Sequence, residues 1–490
     1  MFPHRWQPFI LLSISCFSLA LTGHAEEPKP RAIVAGALNA FGGEARVRAV
    51  HGVHMKFLGH WSLVEGSERP EAPWDVTYEE GESWFDFALP AWREKSTTWY
   101  SAPGSPAARF PWEITVAGQT AMLTVGGKTR PGSPVHVADA EERLSHLPDR
   151  LLLAALDAPD LRREPGEFLG GHPQYVVSFQ WNRQPARIWI DARTWRITEA
   201  ELVHSMPTDH FWRVRGDVRD RLHFQQWLLQ PGGYWYPAQT DLTRAGIPYH
   251  STTLTAVERD VAPPGGFAIP DHVRATFRAE ARGPGDTPAP GEKPVMEIAP
   301  GIWFAAARWN SLLVAQPNGA ILVDAPISDV YFGRTMDEAR RRFGTMPSAL
   351  VLTDAVVPQL SGVRDAVARG VPVHVLDANR NFVESLLAQP HTLAPDALAR
   401  SGRAPTLRSV AARTSLGQGT GRMELVPMRT SLGERVVLVW FPAAHLLWTA
   451  SALGTVPTPS RKAELEAVIA REHLDVSRVV GAQLEPMHWP

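Results

Sequence analysis

The stretch 353–362, TDAVVPQLSG, follows one apolar run (349–352) and leads toward another (371–376). In open α/β proteins the loop after such a strand is where reactive side chains collect. Here its only ionisable side chain is Asp354. A single carboxylate can accept a proton, yet alone it makes neither a zinc site nor an activated nucleophile. Histidines of the same half, His374, His391, His445, His473 and His488, form no i, i+2 or i, i+4 pair. No two of them are therefore predicted to share one strand or helix face as chelating neighbours. Ser311, Ser361 and Ser451 are possible nucleophiles by type, but none lies in a GxSxG elbow. Asp324, in LVDAP, suits a strand-end turn.

The elements that position these residues alternate between strand and helix. Two strands meet at Pro317-Asn318-Gly319, a hairpin signal. A helix is predicted over 337–343, a buried strand over 349–352, and a helix over 359–369 stopped by Gly370. VPVHVL, MELVPM, RVVLVWFP and HLLWT read as strands, RKAELEAVIARE as a helix, and RVVGAQLEP as a last strand. This region, 295–490, is preceded by a Pro- and Gly-rich linker over 279–294. The region 31–278 opens with one helix that places Ile33, Ala37, Leu38 and Phe41 on one face and ends at Gly42-Gly43. It then turns β-rich. Trp74, Val76 and Tyr78 alternate on one face, with a Glu-Gly turn expected after them, and Tyr175, Val177, Phe179 and Trp181 share another. Hairpins are expected at 191–194 and at Pro231-Gly232-Gly233.

At 490 residues the chain is long enough for two or more cores. Its 49 basic residues nearly balance 51 acidic ones, which gives no reason to expect nucleic acid or an acidic membrane surface as partner. Residues 1–25 read as a cleavable signal peptide: His4 and Arg5, an apolar run, then small residues before Glu26. The only cysteine, Cys16, lies within it, so the processed chain would form no disulfide and carry no transmembrane segment. The expected location is periplasmic or secreted.

The segments GIWF…PNGAILVDAP, LVLT and SGVRDAVARGVPVHVL resemble the metallo-β-lactamase superfamily over 295–490. The resemblance implies an α/β fold, an αββα sandwich with zinc held at one edge. Members of the superfamily carry a His-x-His-x-Asp-His run after the strand. Those places fall here on Asp354, Val356, Pro358 and Gln359. The remaining ligand places fall on Arg429, Ser451 and Ala482 or Gln483. Valine and proline offer no lone pair, a guanidinium cannot ligate, and an amide oxygen is a poor zinc ligand. The opening helix, the segments IWIDARTWRITEAEL and YWYPAQTDL, and a closing FAIP resemble the outer-membrane lipoprotein-carrier half-barrel. That implies a mainly antiparallel β domain whose Trp-rich faces are either ordinary core or the wall of a cavity for an acyl chain or hydrophobic peptide. Together the resemblances imply an exported protein without the zinc motif, acting as a non-catalytic binding or envelope-associated protein. The alternative is a superfamily hydrolase with a non-standard site, and only that alternative calls for zinc as cofactor. Residues at the ligand places, Asp354, Gln359, Arg429, Ser451 and Gln483, are the expected binding positions for a small anionic or hydrophobic ligand, with Arg429 suited to a carboxylate or phosphate.

Overall fold

The computed structural model describes residues 27–64, 67, 69–100, 109–280, 291–429 and 435–490. The expected signal peptide and most of the expected linker lie outside the described residues.

The first unit is one antiparallel sheet of thirteen strands built as two meandering arms. One arm steps outward from Gly52–Ser62 to Lys128–Pro131, the other from Ile247–Arg259 back to Arg162–Leu169. The arms join where Gly52–Ser62 pairs antiparallel with Ile247–Arg259. On the sheet's inner face lie three helices, Pro30–Ala40, Pro134–Ser145 and Pro148–Asp157, whose Ile33, Leu38, Val137, Leu151 and Leu152 share one core with inward residues of both arms. Alternation puts every second strand residue in that core. The opening helix and its Gly42-Gly43 stop are as expected, both glycines having positive φ. The hairpins after Asp191 and at Pro231-Gly232-Gly233 also form, and Asp191 organises its turn by accepting the amides of Arg193 and Thr194.

One reading of this region is corrected. Residues 76–86 form a single strand, Val76–Asp86, with no turn at Glu80-Gly81. Gly81 marks close strand approach instead: a Cβ there would lie 2.6 Å from the Lys95 carbonyl oxygen. The face bearing Trp74, Val76 and Tyr78 is also the outer one. Tyr78 is 43% exposed, whereas Glu79 beside it is 1% exposed. The interior of this sheet is partly ionic, with Glu79 and Glu94 among its buried residues. The helices Glu44–Ala49, Pro134–Ser145, Pro148–Asp157 and Asp271–Glu280 add to the single helix expected.

The second unit is an α/β sandwich of four layers. A seven-stranded sheet runs from Met296–Ala299 to Leu407–Val410, antiparallel in its first half and parallel from Gly319–Val323 onward. A six-stranded sheet, Thr414–Leu416 to Leu484–His488, faces it. Within Ser311–Gln316 the period of two divides the layers: Leu312 and Val314 pack toward the second sheet, Leu313 toward the helices. Phe332 and Met336 of helix Asp329–Phe343 and Val363 and Val367 of helix Val363–Ala368 cover the outer face of the first sheet. Leu465 and Val468 of Pro459–Arg471 pack on the second sheet. This is the αββα arrangement, preceded by a mainly antiparallel β unit.

Helix Asp329–Phe343 is longer than expected because Ser328 caps it, its hydroxyl accepting the Tyr331 amide at 3.1 Å. The helix expected over 359–369 is broken into Val357–Leu360 and Val363–Ala368. Gly362 sits at the break, against the ring of Phe332. A Cβ at Gly362 would lie 2.3 Å from the Phe332 Cβ. Among the described residues no helix is long and apolar enough to cross a membrane. Gly362→Ala should destabilise the second unit by about 1–3 kcal/mol, read as a lowered urea midpoint, since both helices are fixed by the sheet beneath them.

Candidate functional site

The strand Ala349–Leu352 delivers residues 353–356 to the seam between the two sheets. Thr353 donates its amide and its hydroxyl to the two oxygens of Asp324, at 2.8 and 2.6 Å, and accepts from the Trp448 indole at 3.2 Å. Asp354 turns its own loop: one carboxylate oxygen accepts the amides of Ala355 and Val356 at 2.7 and 3.1 Å, and the other accepts the Ser451 hydroxyl. Burial pushes Asp324 up to about 7, with the neighbouring Asp354 adding to it, and pushes Asp354 up to about 6 against the pull of its hydrogen bonds.

Of the five expected binding positions, the structure joins Asp354 to Ser451 by a hydrogen bond. Gln359 is buried in the same loop and its side-chain oxygen has no partner, while its carbonyl accepts the Ala325 amide at 2.9 Å. Arg429 is exposed at the end of strand Met423–Met428, and Gln483 lies half-buried in the turn before Leu484–His488. Asp354 and Gln359 are closed off from solvent.

A zinc ion, which the superfamily resemblance implies, does not fit these residues. Both Asp354 oxygens are engaged by N–H and O–H donors, Val356 and Pro358 bring only hydrocarbon, and one neutral amide oxygen remains. Pro358 is buried and contributes instead to the lining of a cavity in the other unit.

That cavity, about 650 Å³, lies between the two arms of the thirteen-stranded sheet. One wall is apolar and aromatic, with Met55, Phe85, Trp92 and Ile114 from one arm and Leu222 and Tyr236 from the other. Its mouth is formed with the second unit, where Arg308, Trp309 and Pro358 contribute. Phe211 meets the Trp309 ring edge-on at 5.4 Å. Arg213 pairs with Asp329 at 2.5 Å, and Asp217 accepts the amides of Thr392 and Leu393, so the units are fixed beside the mouth.

Along the other wall runs helix Pro134–Ser145, presenting Asp139, Glu142 and Arg143 at helical spacing, with His146 just past its end. Ser133 caps this helix and Pro134 opens it. Behind it Arg244 grips Asp220 in a bidentate pair, at 2.8 and 2.6 Å, and also donates to Glu142. His204 shares Asp220 at 3.0 Å. Burial is the largest influence and would raise both acids, but the Arg244 guanidinium together with the neighbouring imidazoles, His204 above all for Asp220, brings Glu142 and Asp220 below the ordinary carboxylate range. Burial lowers His146 to about 4, so it is neutral near pH 7. Glu142, His204 and Asp220 are the one group of metal-ligating type and spacing among the described residues. Arg244 donates to both of its carboxylates, so a cation would have to displace a guanidinium held by hydrogen bonds.

Asp139 differs from its neighbours. It faces this cavity and a second one of about 1120 Å³ on the far side of the helix, and among the described residues no hydrogen bond or ion pair reaches it. Burial, reinforced by Glu142, pushes it up to about 7. None of these residues was singled out from the sequence. Ser133-Pro134 before VHVADAEERL was the available signal, a capped amphipathic helix with an acidic face.

No protein-family model matches the chain, and no curated protein matches it. Among solved structures, DIM-1 metallo-β-lactamase is 14% identical over 41% of this chain and 93% of its own, with a TM-score of 0.31. A metallo-β-lactamase from Pontibacter korlensis is 17% identical over 40% of this chain and 91% of its own, with a TM-score of 0.29. The stereoselective inverting sec-alkylsulfatase Pisa1 from Pseudomonas sp. is 14% identical over 40% of this chain and 38% of its own, with a TM-score of 0.30. The fold assignment rests on the layer order and strand directions described above.

An unpartnered Asp139 weakens the fold once it ionises. Below the unfolded pKa, near 4, the carboxyl is neutral in both states and costs nothing. As pH rises through about 7 the folded state must charge a desolvated group, and stability is lost. Asp139→Asn should therefore match the wild type at about pH 3.5 and exceed it by about 1–3 kcal/mol at about pH 8, in urea unfolding followed across that range.

Proposed function

We propose that this protein is an exported, non-catalytic binding protein in which the thirteen-stranded unit holds an apolar or amphipathic ligand. The sandwich of the second unit, on this reading, serves through its shape. The observation that carries the reading is the aromatic-walled cavity whose mouth is completed by Trp309 and Pro358 of the second unit. Its volume falls in the range of small-molecule sites, roughly 300–1,000 Å³. The resemblance of the first unit to the lipoprotein-carrier half-barrel agrees with an acyl chain or hydrophobic peptide as occupant. The neutral surroundings of residues 353–362 agree with a superfamily member that has given up its metal.

Two measurements test this. The full-length processed chain, stripped of bound lipid, should enhance the fluorescence of N-phenyl-1-naphthylamine with saturable, one-site binding, and long-chain alcohols should displace the probe. Protein exchanged into zinc-containing buffer and then desalted should hold well under one zinc per chain. Absence of probe binding would remove the ligand-site reading. Stoichiometric zinc lost on Asp354→Ala would instead support a hydrolase with a non-standard site.

A further inference from the structure

The charges around the cavity do not balance, and the imbalance has a place. Six carboxyl groups lie in or beside it: Glu79, Glu94, Asp139, Glu142, Asp209 and Asp220. Four have partners. Glu79 meets His250 at 2.8 Å, Glu94 meets Arg143 at 3.2 Å, and Glu142 and Asp220 share Arg244, with His204 on Asp220. Asp209 and Asp139 remain. Asp209 accepts only the amides of Phe211 and Trp212, at 2.6 and 3.0 Å, and no hydrogen bond or ion pair among the described residues reaches Asp139. Both line the cavity. The other imidazoles on its walls, His136 and His146, are lowered by burial and bring no charge near neutral pH.

A second observation is independent of these acids. The hydroxyl of Tyr236, 3% exposed and on the cavity's apolar wall, has no hydrogen-bond partner, and neither has the indole N–H of Trp61 on the same cavity. A polar group sealed in without a partner costs about 1–3 kcal/mol. The Tyr236 oxygen is spared that cost when a ligand N–H meets it, whereas the Trp61 N–H calls for a ligand acceptor.

Resting on the reading of this cavity as a ligand site, we infer that the ligand is a cationic amphiphile: an apolar body against the Trp-rich wall and a protonated amine facing Asp139 and Asp209. Of the guanidiniums lining the cavity, Arg143 and Arg244 are already committed to carboxylates, and Arg308 lies over the Trp309 ring, 4.7 Å from its centre. Beside Asp139 and Asp209 an anionic headgroup would face two unbalanced acids and could gain Arg143 or Arg244 only by breaking a buried pair, which is strongly unfavourable. An ammonium group at that place disturbs no pair, and its hydrogen bonds to carboxylates are of the stronger, charge-assisted kind. Asp139 is then a binding residue kept despite its cost to the fold, a common compromise at functional sites.

Displacement of N-phenyl-1-naphthylamine from the full processed chain by dodecylamine, dodecanol and dodecanoate, each below its micellar concentration, tests this. At about pH 8 the amine should displace at a concentration lower than the carboxylate by about tenfold or more, with the alcohol between them. In Asp139→Asn, which should fold at least as well as the wild type, that ratio should fall to within about threefold. Lowering the pH to about 5 in the wild type should weaken the amine in the same direction, since Asp139 is then neutral while the amine is not. Of the other charged groups facing Asp139, Glu142, Arg143 and Arg244 stay in their pairs, and Asp209 protonates in the same direction. Equal displacement by all three compounds, a preference for the carboxylate, or an amine preference unchanged in Asp139→Asn would overturn the inference while leaving the cavity a ligand site. Failure of the probe itself to bind would remove the underlying reading instead.

Discussion

Arg244 is the constraint from which much of the first unit follows. A guanidinium cannot shed its proton, so its burial within a sheet requires carboxylates on at least one side and well-made hydrogen bonds to them. Asp220, on the neighbouring strand, is the bidentate partner of Nε and Nη2, and Nη2 also donates to Glu142 on helix Pro134–Ser145. That single contact fixes where the helix lies on the sheet. The helix cannot slide by a turn without leaving Arg244 short of a partner and Glu142 buried alone. Once it is fixed, Asp139, one turn earlier on the same helix, is held over the cavity whether or not anything balances it. The ring of Tyr249, 4.6 Å from the guanidinium, closes the remaining side.

The second unit solves the opposite problem. A metal-binding edge stripped of its metal would leave imidazoles and carboxylates buried with nothing to share, each at considerable cost. Residues 353–359 carry one acid, and it is fully occupied by two amides and a hydroxyl. Asp324 likewise spends both oxygens on Thr353. The loop is self-sufficient: its polar atoms are consumed in shaping it, apart from the Gln359 side-chain oxygen. One unit therefore organises its buried charge around a guanidinium, while at this seam of the other the two buried acids, Asp324 and Asp354, are held by hydroxyl and amide donors.

The sequence made the second unit legible because its signals are local and strictly periodic. Leu312, Leu313 and Val314 alternate between two cores, Gly370 stops a helix, and Pro317-Asn318 turns a hairpin. The first unit was harder to read for a definite reason. Its interior holds Glu79, Glu94 and Asp220, so a rule that turns apolar residues inward assigns Tyr78 to the wrong side. Helix Pro134–Ser145 was obscured by the same feature, since Asp139, Glu142 and Arg143 look like a solvated face when they are in fact the face toward the cavity. Pairing is what permits those residues to be inside, and Arg143 finds Glu94 49 residues earlier in the chain while Arg244 finds Glu142 102 residues earlier. Contacts at such separation leave no local trace. Asp354 was correctly singled out as the lone acid of its loop, but its partner Ser451 is 97 residues away and was known only as a ligand place.

Pro358 connects the two halves of this account. At a place where the superfamily resemblance expects a metal ligand, it has a side chain without a lone pair and a rigid ring that opens the short helix Val357–Leu360. Its carbonyl is used internally, accepting the Ile327 amide at 2.7 Å, so the residue is locked in position from behind. Its ring then closes part of the cavity mouth beside Trp309, which Phe211 of the first unit holds by an edge contact. Arg308 lines the same cavity, its guanidinium 4.7 Å from the centre of the Trp309 ring, so this part of the lining combines a cation, an indole and a proline ring. The loop that offers only hydrocarbon at residues 356 and 358 thus also supplies, through Pro358, part of the wall of the first unit's cavity, which ties the local shape of residues 353–359 to the way the two units meet.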